Sequence, residues 1–368
     1  MRKRRVVILG ATGSIGQSAL KVARDIPDRM EIVGMSAHNN AEALAAASKD
    51  FPGARCVRTD GPDGMERLIE LATMPEADLI LVAIVGTAGL RPALAAIEAG
   101  KDLAVASKEI LVMAGETVMQ AAAKSGVRIL PVDSEHNAIF QCLEGRDTST
   151  VKRVILTCSG GPFRDTPKED FEAITPGLAL RHPTWQMGKK ITIDSATLFN
   201  KALEMIEARW LFDLPIDRVE VIVHPQSIIH SMVEFVDGST LAQMSHSDMC
   251  FPIHYAVTWP DRVPNSLKPL DFARLGRLDF EAPRRDDFPA LDLAVEAGTR
   301  GGTLPAVLNA ANEIAVDAFL AGKIRFPKIW DIVAKVMASC PHLDHPGLEQ
   351  VIETDRAART LASRLAGE

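Results

Sequence analysis

The sequence predicts an α/β protein with an N-terminal Rossmann-like parallel sheet, a central α+β domain and a C-terminal helical bundle. Over about the first 130 residues, short β-branched runs alternate with Ala-rich helical runs. Near residue 150 this alternation stops, and from Phe288 onward the pattern is helical. We place the domains at 1–132, 133–258 and 286–368, with a Pro- and Arg-rich linker at 259–285.

The N-terminal domain is predicted from strands that are each followed by a helix, which is typical of a parallel sheet covered by helices. The predicted strands are RRVVILG, EIVGMSA, ADLILVAIVG, DLAVAS and VRILPVD. The predicted helices are SIGQSALKVARDI, AEALAAASKD, LRPALAAIEAG and GETVMQAAAKSG.

The central domain begins with the strand VKRVILTCSGG, which runs into a Gly-rich turn. SATLFNKALEMIEARWLF is predicted to be one long helix, and SMVEFVDGSTLAQMS a hairpin that turns at Asp237-Gly238. The C-terminal bundle is predicted from the helical segments ALDLAVEAG, TLPAVLNAANEIAVDAFLAG, FPKIWDIVAKVMAS and GLEQVIETDRAARTLASRLAG.

Composition excludes several classes of protein. The net charge is -7 and no long basic run occurs, which argues against a nucleic-acid partner. No apolar stretch of about 20 residues is present, so we expect no membrane partner. The five cysteines are odd in number, widely spaced and without a C-x-x-C pair, which indicates reduced thiols and a cytoplasmic location.

A Gly-rich loop joins the first strand to the first helix. Gly10, Gly13 and Gly16 would let the backbone turn tightly and approach a pyrophosphate at the helix N-terminus. The pattern predicts a dinucleotide site, and the alternative is a plain tight turn.

Two carboxylates follow the last strand of the N-terminal domain. Asp133 and Glu135 would face the same way on an extended chain, and such a pair favours Mg²⁺ or Mn²⁺. The alternative for this pair is a solvated turn of charged residues. His136 could also be a metal ligand, but we favour a packing role for it. Asn200 and Glu204 are spaced i, i+4 on the long helix, where they could supply a third carboxylate or simply form its wet face.

Two loops could hold a phosphorylated substrate. Ser159 opens a Gly-rich turn whose N–H groups could bind an anion. Residues 182–190 place Trp185 in a polar loop, which suggests a lid, although this Trp could also pack on the domain surface. Ser195 could serve only as a helix cap, and Cys158 as a small buried residue.

Long segments resemble one family in order along nearly the whole chain. They are GATGSIG, SKE at 107–109, VDSEHNAIFQ, SGGPFR, HPTWQMGKKITIDSAT, NKALEMIEARWLF, HPQSIIHSMVEFVDGS and PAVLNAANEIAVDAFL. Together they resemble the 1-deoxy-D-xylulose 5-phosphate reductoisomerase family, and the long central motifs are highly specific.

The resemblance implies a homodimer with an N-terminal NADPH domain, a catalytic domain and a C-terminal four-helix bundle. It implies that Mn²⁺ or Mg²⁺ is bound by Asp133, Glu135 and Glu204. The implied catalytic residues are Lys108, Glu135, His182 and Glu204. The substrate would contact Lys108, Ser134, Glu135, Ser159, His182, Trp185, Ser195, Asn200, Lys201 and Glu204. The cofactor would contact Thr12, Gly13, Ser14, Ile15, Ser107, Glu109 and Gly188.

The implied reaction isomerises 1-deoxy-D-xylulose 5-phosphate and then reduces it to 2-C-methyl-D-erythritol 4-phosphate, in isoprenoid precursor biosynthesis. The metal would act as a Lewis acid in a retro-aldol and aldol sequence, and NADPH would then donate hydride. Lys108 would lie between the metal and the nicotinamide.

The chain departs from the family pattern at three positions. After the second strand the family usually has a Lys, where this chain has only His38, Asn39 and Asn40 as donors for the cofactor 2′-phosphate. We therefore expect a real but modest preference for NADPH over NADH. Ser107 replaces a usual Asn, and Cys158 replaces a common Ala, which argues against a catalytic thiol.

Two other functions fit part of the sequence. A semialdehyde dehydrogenase-like NADP oxidoreductase also carries such a Gly loop, but it would need a catalytic Cys with a partner His. A nonenzymatic NADP-binding regulator would bind cofactor without depending on a metal.

Overall fold

The computed structural model describes residues 3–182, 184–185 and 187–367, which form two compact units. Pro183 and Gln186 of the predicted lid lie outside the described residues, as do the extreme ends of the outer predicted domains. The first unit comprises Met1–Ile110, Glu116–Phe140 and Asp248–Leu270. The second unit comprises Leu111–Gly115, Gln141–Ser247 and Asp271–Glu368. The predicted boundaries at 132, 258 and 285 divide the chain by function and remain a prediction.

Strands and helices are numbered along the chain. In the described residues the strands are β1 (Arg4–Leu9), β2 (Met30–Ala37), β3 (Arg55–Arg58), β4 (Leu79–Val82), β5 (Asp102–Val105), β6 (Ile129–Pro131), β7 (Val151–Cys158), β8 (Val219–Val223), β9 (Ile229–Phe235) and β10 (Thr240–Met244). The helices are α1 (Ser14–Asp25), α2 (Ala41–Asp50), α3 (Gly64–Ala72), α4 (Leu90–Glu98), α5 (Glu109–Ser125), α6 (Ser134–Leu143), α7 (Pro176–Ala179), α8 (Lys189–Thr197), α9 (Phe199–Leu211), α10 (Cys250–Thr258), α11 (Phe272–Leu275), α12 (Ala290–Arg300), α13 (Leu304–Leu320), α14 (Lys328–Ser339) and α15 (Leu348–Gly367).

The first unit is built on a six-stranded sheet with the strand order β3-β2-β1-β4-β5-β6. Every neighbouring pair is parallel, and the order is that of a doubly wound dinucleotide-binding sheet. All four residues of β4 are buried, as expected for a central strand covered by helices on both faces. The predicted Rossmann-like sheet is confirmed, although the sequence analysis did not identify β3 and α3.

The first unit also includes a segment from much later in the chain. Ile253 and Ala256 of α10 are fully buried in the same apolar core as Val6 of β1. Arg4 Nη2 donates to the backbone oxygen of Trp259 at 3.1 Å, which fixes the end of this segment beside β1. The part of the predicted linker up to Leu270 therefore packs with the N-terminal sheet.

The second unit combines a mixed four-stranded sheet, ordered β10-β9-β7-β8, with most of the later helices. β9 and β10 form the predicted hairpin, and Gly238 has φ +84° at its turn. α13 packs against α14 and α15, and α12 packs against α9, which confirms the helical C-terminal region. In the described part of the chain, no helix is long and apolar enough to cross a bilayer.

The predicted long helix from Ser195 to Phe212 is wrong, because Leu198 has φ 63° and separates α8 from α9. Thr197 Oγ1 donates back to the backbone oxygen of Ile193 at 2.9 Å, a contact that bends helices. Trp330 Nε1 donates to the backbone oxygen of Thr197 at 3.1 Å. That oxygen would otherwise accept the hydrogen bond that continues the helix, so the break is stabilised by a distant residue.

Candidate active site

The Gly-rich loop connects β1 to α1 at the carboxyl edge of the first unit's sheet. Gly10 has φ +93°, and a Cβ there would lie 2.6 Å from the backbone oxygen of Ala83. A Cβ at Gly16 would lie 2.3 Å from the backbone oxygen of Gly10, so these two glycines are required by the fold itself.

Gly13 differs from the other two glycines. Its φ of -77° suits any residue, and a Cβ there would meet nothing nearer than the backbone oxygen of Gly10 at 3.5 Å. Gly13 and Ser14 are exposed at the first turn of α1, where backbone N–H groups have no partner within the helix. The fold therefore leaves room at Gly13 for a close ligand, as a pyrophosphate at a helix N-terminus requires.

Ser36 supports this loop and was missed by the sequence analysis. Its hydroxyl accepts a hydrogen bond from Gly10 N at 3.0 Å, and its backbone oxygen accepts one from Ala11 N at 2.8 Å. Ser36 lies near the end of β2, which neighbours β1 in the sheet. The adjacency of these strands was the available signal, because it brings the end of β2 beside the Gly loop.

Polar residues follow β5 and β6 at the same edge. Lys108 Nζ lies 2.6 Å from Asp133 Oδ2, and both side chains are largely buried. Ser107 donates a hydrogen bond to the backbone oxygen of Ile84, just after β4, and Glu109 begins α5. The parallel pairing of β5 with β6 brings Lys108 and Asp133 together, although they are far apart in sequence.

The extended conformation expected for Asp133 to Glu135 is wrong. α6 begins at Ser134, and Asn137 N donates to the backbone oxygen of Asp133 at 2.9 Å. Asp133 thus precedes the first turn of the helix and Glu135 lies within it. Ser134 Oγ donates to Glu135 Oε2 at 2.5 Å, which fixes that carboxylate, and His136 is fully buried.

In the second unit, Ser159, His182 and Ser195 meet around one imidazole nitrogen. His182 Nε2 lies 3.1 Å from Ser159 Oγ and 3.0 Å from Ser195 Oγ. His182 Nδ1 accepts backbone N–H hydrogen bonds from Thr184 at 3.2 Å and from Trp185 at 2.9 Å. We therefore assign the ring proton to Nε2, which donates toward the two hydroxyls. Ser195 lies inside α8 and does not cap it, so that alternative is wrong.

Burial lowers the pKa of His182 to about 4. The imidazole is therefore neutral near pH 7, and it orients the hydroxyls of Ser159 and Ser195 without adding a charge. Neutral hydroxyls that can donate hydrogen bonds suit an anionic group such as a phosphate.

Glu204 is fully buried on α9 between two donors. Asn200 Nδ2 donates to Glu204 Oε1, and Lys201 Nζ donates to Glu204 Oε2, each at 2.6 Å. The predicted i, i+4 relation of Asn200 and Glu204 is confirmed as a direct contact. The alternative of a wet helix face is wrong, because the side chain of Lys201 is only 3% exposed.

The remaining residues of the predicted site lie in loops or just before helices. Gly188 precedes α8 as its N-cap, and its backbone oxygen accepts from Thr192 Oγ1 at 2.9 Å. Trp185 is partly buried, with its ring centroid 6.3 Å from that of His230. After β2, Asn40 caps α2, and His38 Nδ1 lies 3.3 Å from Thr59 Oγ1.

The chain matches known proteins over nearly its whole length. Residues 6–115 match 1-deoxy-D-xylulose 5-phosphate reductoisomerase, residues 129–212 its C-terminal domain, and residues 244–361 the DXP reductoisomerase C-terminal domain. The enzymes of that name from Pelotomaculum thermopropionicum and Symbiobacterium thermophilum are 48% and 49% identical to this chain, and each alignment covers 98% of both chains.

Solved structures agree with the sequence relatives. The Zymomonas mobilis reductoisomerase in complex with NADPH is 43% identical, covers 99% of each chain and superposes with a TM-score of 0.90. A DOX-P reductoisomerase in complex with NADPH, fosmidomycin and magnesium is 39% identical, also with a TM-score of 0.90, over 99% of this chain and 98% of that one. The chain therefore belongs to the 1-deoxy-D-xylulose 5-phosphate reductoisomerase family.

Proposed function

We propose that this chain converts 1-deoxy-D-xylulose 5-phosphate into 2-C-methyl-D-erythritol 4-phosphate, with NADPH and a divalent metal ion, as a step of isoprenoid precursor biosynthesis. The observation that carries the proposal is the match over nearly the whole chain to a family whose solved members bind NADPH and magnesium. The geometry of each unit supports a separate part of this chemistry.

NADPH fits the carboxyl edge of the first unit. Thr12, Gly13, Ser14 and Ile15 would surround the pyrophosphate, because Gly13 leaves space for it at the start of α1. Ser107 and Glu109 follow β5, on the other side of β4 from the Gly loop, where a nicotinamide would lie. The other proposed cofactor contacts are Gly188 and, after β2, His38, Asn39 and Asn40.

The metal ligands would be Asp133, Glu135 and Glu204. All three offer carboxylate oxygens, which suit Mg²⁺ or Mn²⁺ better than softer metals. Bound there, the metal would supply a Lewis acid for the ketone and its neighbouring hydroxyl. Lys108 and Lys201 place ammonium groups 2.6 Å from Asp133 and Glu204, so each of these two carboxylates has a counter-charge close to the proposed metal position.

The substrate phosphate would bind in the second unit. Ser159 and Ser195 would donate their hydroxyls to it, and neutral His182 would hold both hydroxyls in place. Asn200 and Lys201 would contribute N–H donors from the start of α9. A phosphate held at several points keeps the fragment that carries it from escaping during bond breaking.

We infer that the C3–C4 bond breaks in a retro-aldol step and that a new C2–C4 bond forms in an aldol step, which gives the branched aldehyde that is then reduced. Lys108 and Glu135 would orient the reacting carbons, with Ser134 fixing Glu135. Trp185, in the loop at 182–190, would cover the substrate and exclude water when that loop closes. The protein would thus supply orientation and electrostatics, while the cofactor supplies the hydride.

We also propose that the enzyme is a cytoplasmic homodimer. All five cysteines lie in the described part of the chain and none forms a disulfide, which suits a reducing compartment. Sedimentation of the purified protein would show a dimer if this proposal is right and a monomer if it is wrong.

The test is an NADPH-oxidation assay with 1-deoxy-D-xylulose 5-phosphate, run with and without a chelator. We expect NADPH consumption that stops with chelator and returns when Mg²⁺ or Mn²⁺ is added. A semialdehyde dehydrogenase would instead keep its activity in the presence of the chelator and lose activity with iodoacetamide. A regulator would bind NADPH without consuming it.

A further inference from the structure

The segment that should bind the cofactor 2′-phosphate has no permanent positive charge. β2 ends at Ala37, and His38, Asn39 and Asn40 follow without a Lys or Arg. Asn40 Oδ1 accepts a hydrogen bond from Ala43 N at 3.0 Å, so its oxygen is already engaged as the N-cap of α2. A dianionic phosphate bound by this segment alone would meet only neutral amides and one imidazole.

The neighbouring strand brings a cation to the same place. β3 pairs in parallel with β2, and their register sets Arg58 opposite Ala37, so both strands end together. Thr59 N then donates to the backbone oxygen of Ala37 at 3.0 Å. Thr59 Oγ1 lies 3.3 Å from His38 Nδ1, which joins the two segments that follow the strands.

Arg58 could exchange its present partner, Asp60, for a phosphate at this edge of the sheet. Its guanidinium donates a hydrogen bond to Asp60, with 49% of the Arg58 side chain and 34% of the Asp60 side chain exposed. That hydrogen bond lowers the pKa of Asp60, and a smaller contribution comes from His38, so the three groups share one surface. An ion pair this exposed adds little to stability, and a phosphate can replace the carboxylate at small cost.

Guanidinium groups bind phosphates with two parallel hydrogen bonds, and they keep their charge at any physiological pH. We propose that Arg58 binds the adenosine 2′-phosphate of NADPH and makes the chain select NADPH over NADH. The inference rests on the proposed function for its cofactor. In this chain the cation absent after β2 is supplied by the end of β3, with Asp60 moving away from Arg58 when the cofactor binds.

The test compares Arg58→Gln with a matched control, Arg55→Gln. Arg55 lies on the same edge strand, is similarly exposed, and forms an ion pair with Glu70 at 2.9 Å, but it is placed toward the amino end of β3. The affinities of NADPH, NADH and the probe 2′,5′-ADP are measured by fluorescence or calorimetry, and kcat and KM are measured for both dinucleotides.

We expect Arg58→Gln to weaken the binding of NADPH and of 2′,5′-ADP by about tenfold or more, as the loss of a charge-assisted hydrogen bond predicts. The NADH affinity and the kcat of Arg58→Gln should stay within about twofold of the wild-type values. Arg55→Gln should match the wild type in its affinity for both dinucleotides. Asp60→Ala should strengthen 2′,5′-ADP binding, because a competing carboxylate is removed. Equal effects on NADPH and NADH, or no effect on either, would overturn the assignment. Binding of 2′,5′-ADP needs no turnover, so it tests Arg58 even if the substrate proposal fails.

Discussion

Alanine substitutions at two glycines of the β1–α1 loop should separate cofactor binding from folding. At Gly13 a new Cβ would meet only the backbone oxygen of Gly10 at 3.5 Å, an ordinary contact. At Gly16 it would lie 2.3 Å from that oxygen and 2.5 Å from Ala11 Cα, both of them backbone atoms. The two substitutions add the same methyl group, but the first points into the proposed ligand space and the second into the protein.

Gly13→Ala should change the free energy of unfolding little. Its φ and ψ suit Ala, which loses about 0.4–1 kcal/mol less chain entropy on folding, while Ala is a poorer N-cap by a similar amount. A methyl against the pyrophosphate should cost about 1–3 kcal/mol, or a roughly 5- to 150-fold weaker affinity for NADPH. Gly16→Ala should cost at least about 1–3 kcal/mol of stability, because backbone must move.

The assays are NADPH fluorescence titration and thermal unfolding of both variants and the wild type. We expect Gly13→Ala to melt within a few degrees of the wild type while binding NADPH poorly, and Gly16→Ala to lose melting temperature as well. Wild-type NADPH affinity in Gly13→Ala would refute the placement of the pyrophosphate at this loop.

Three further outcomes follow from the second unit. Glu204→Gln should nearly abolish turnover and also lower stability by about 1–3 kcal/mol, because buried Lys201 loses its counter-charge. Near wild-type activity at limiting Mn²⁺ would show that Glu204 is not a ligand. Trp185→Ala should raise KM for the substrate and leave the melting temperature nearly unchanged, whereas a core Trp would cost about 3–5 kcal/mol; a large drop in melting temperature would indicate core packing instead. Because the pKa of His182 falls to about 4 on folding, the unfolded chain binds more protons between about pH 6.5 and 4. The contribution of neutral His182 to the free energy of unfolding should therefore be fully present above pH 6.5 and be lost as the pH falls toward 4. As the pH is lowered across that range, the melting temperature should fall more steeply for the wild type than for His182→Asn. An equal pH dependence in the two proteins would contradict the assignment.

Local patterns predicted much of the first unit and of the second unit's helices. Most strands and helices there are specified by their own residues, and the Gly loop occupies one short stretch. The helix that begins at Ser134 had a readable signal as well, since Asp133 is a favourable residue just before a helix. The apolar run before the two carboxylates favours a strand that continues through them, whereas β6 ends at Pro131.

Other features depend on residues distant in sequence. Leu198 favours helix in isolation, and the break there relies on Trp330 holding the backbone oxygen of Thr197. Lys108 meets Asp133 only because β5 and β6 are neighbours in the sheet. Family motifs predicted Lys108 and Asp133 as site residues, but their contact depends on the three-dimensional arrangement.

The late segment of the first unit has a consequence for biosynthesis. α10 supplies Ile253 and Ala256 to the core beneath β1, so the N-terminal sheet cannot finish packing until the ribosome has passed Leu270. Nascent chains shorter than this would leave the apolar surface opposite α10 open to water, which makes them candidates for chaperone binding and for aggregation. A fragment cut after Ser247 should therefore be poorly soluble. For the same reason, we expect this sheet not to fold when residues 3–132 are transferred to another protein without α10.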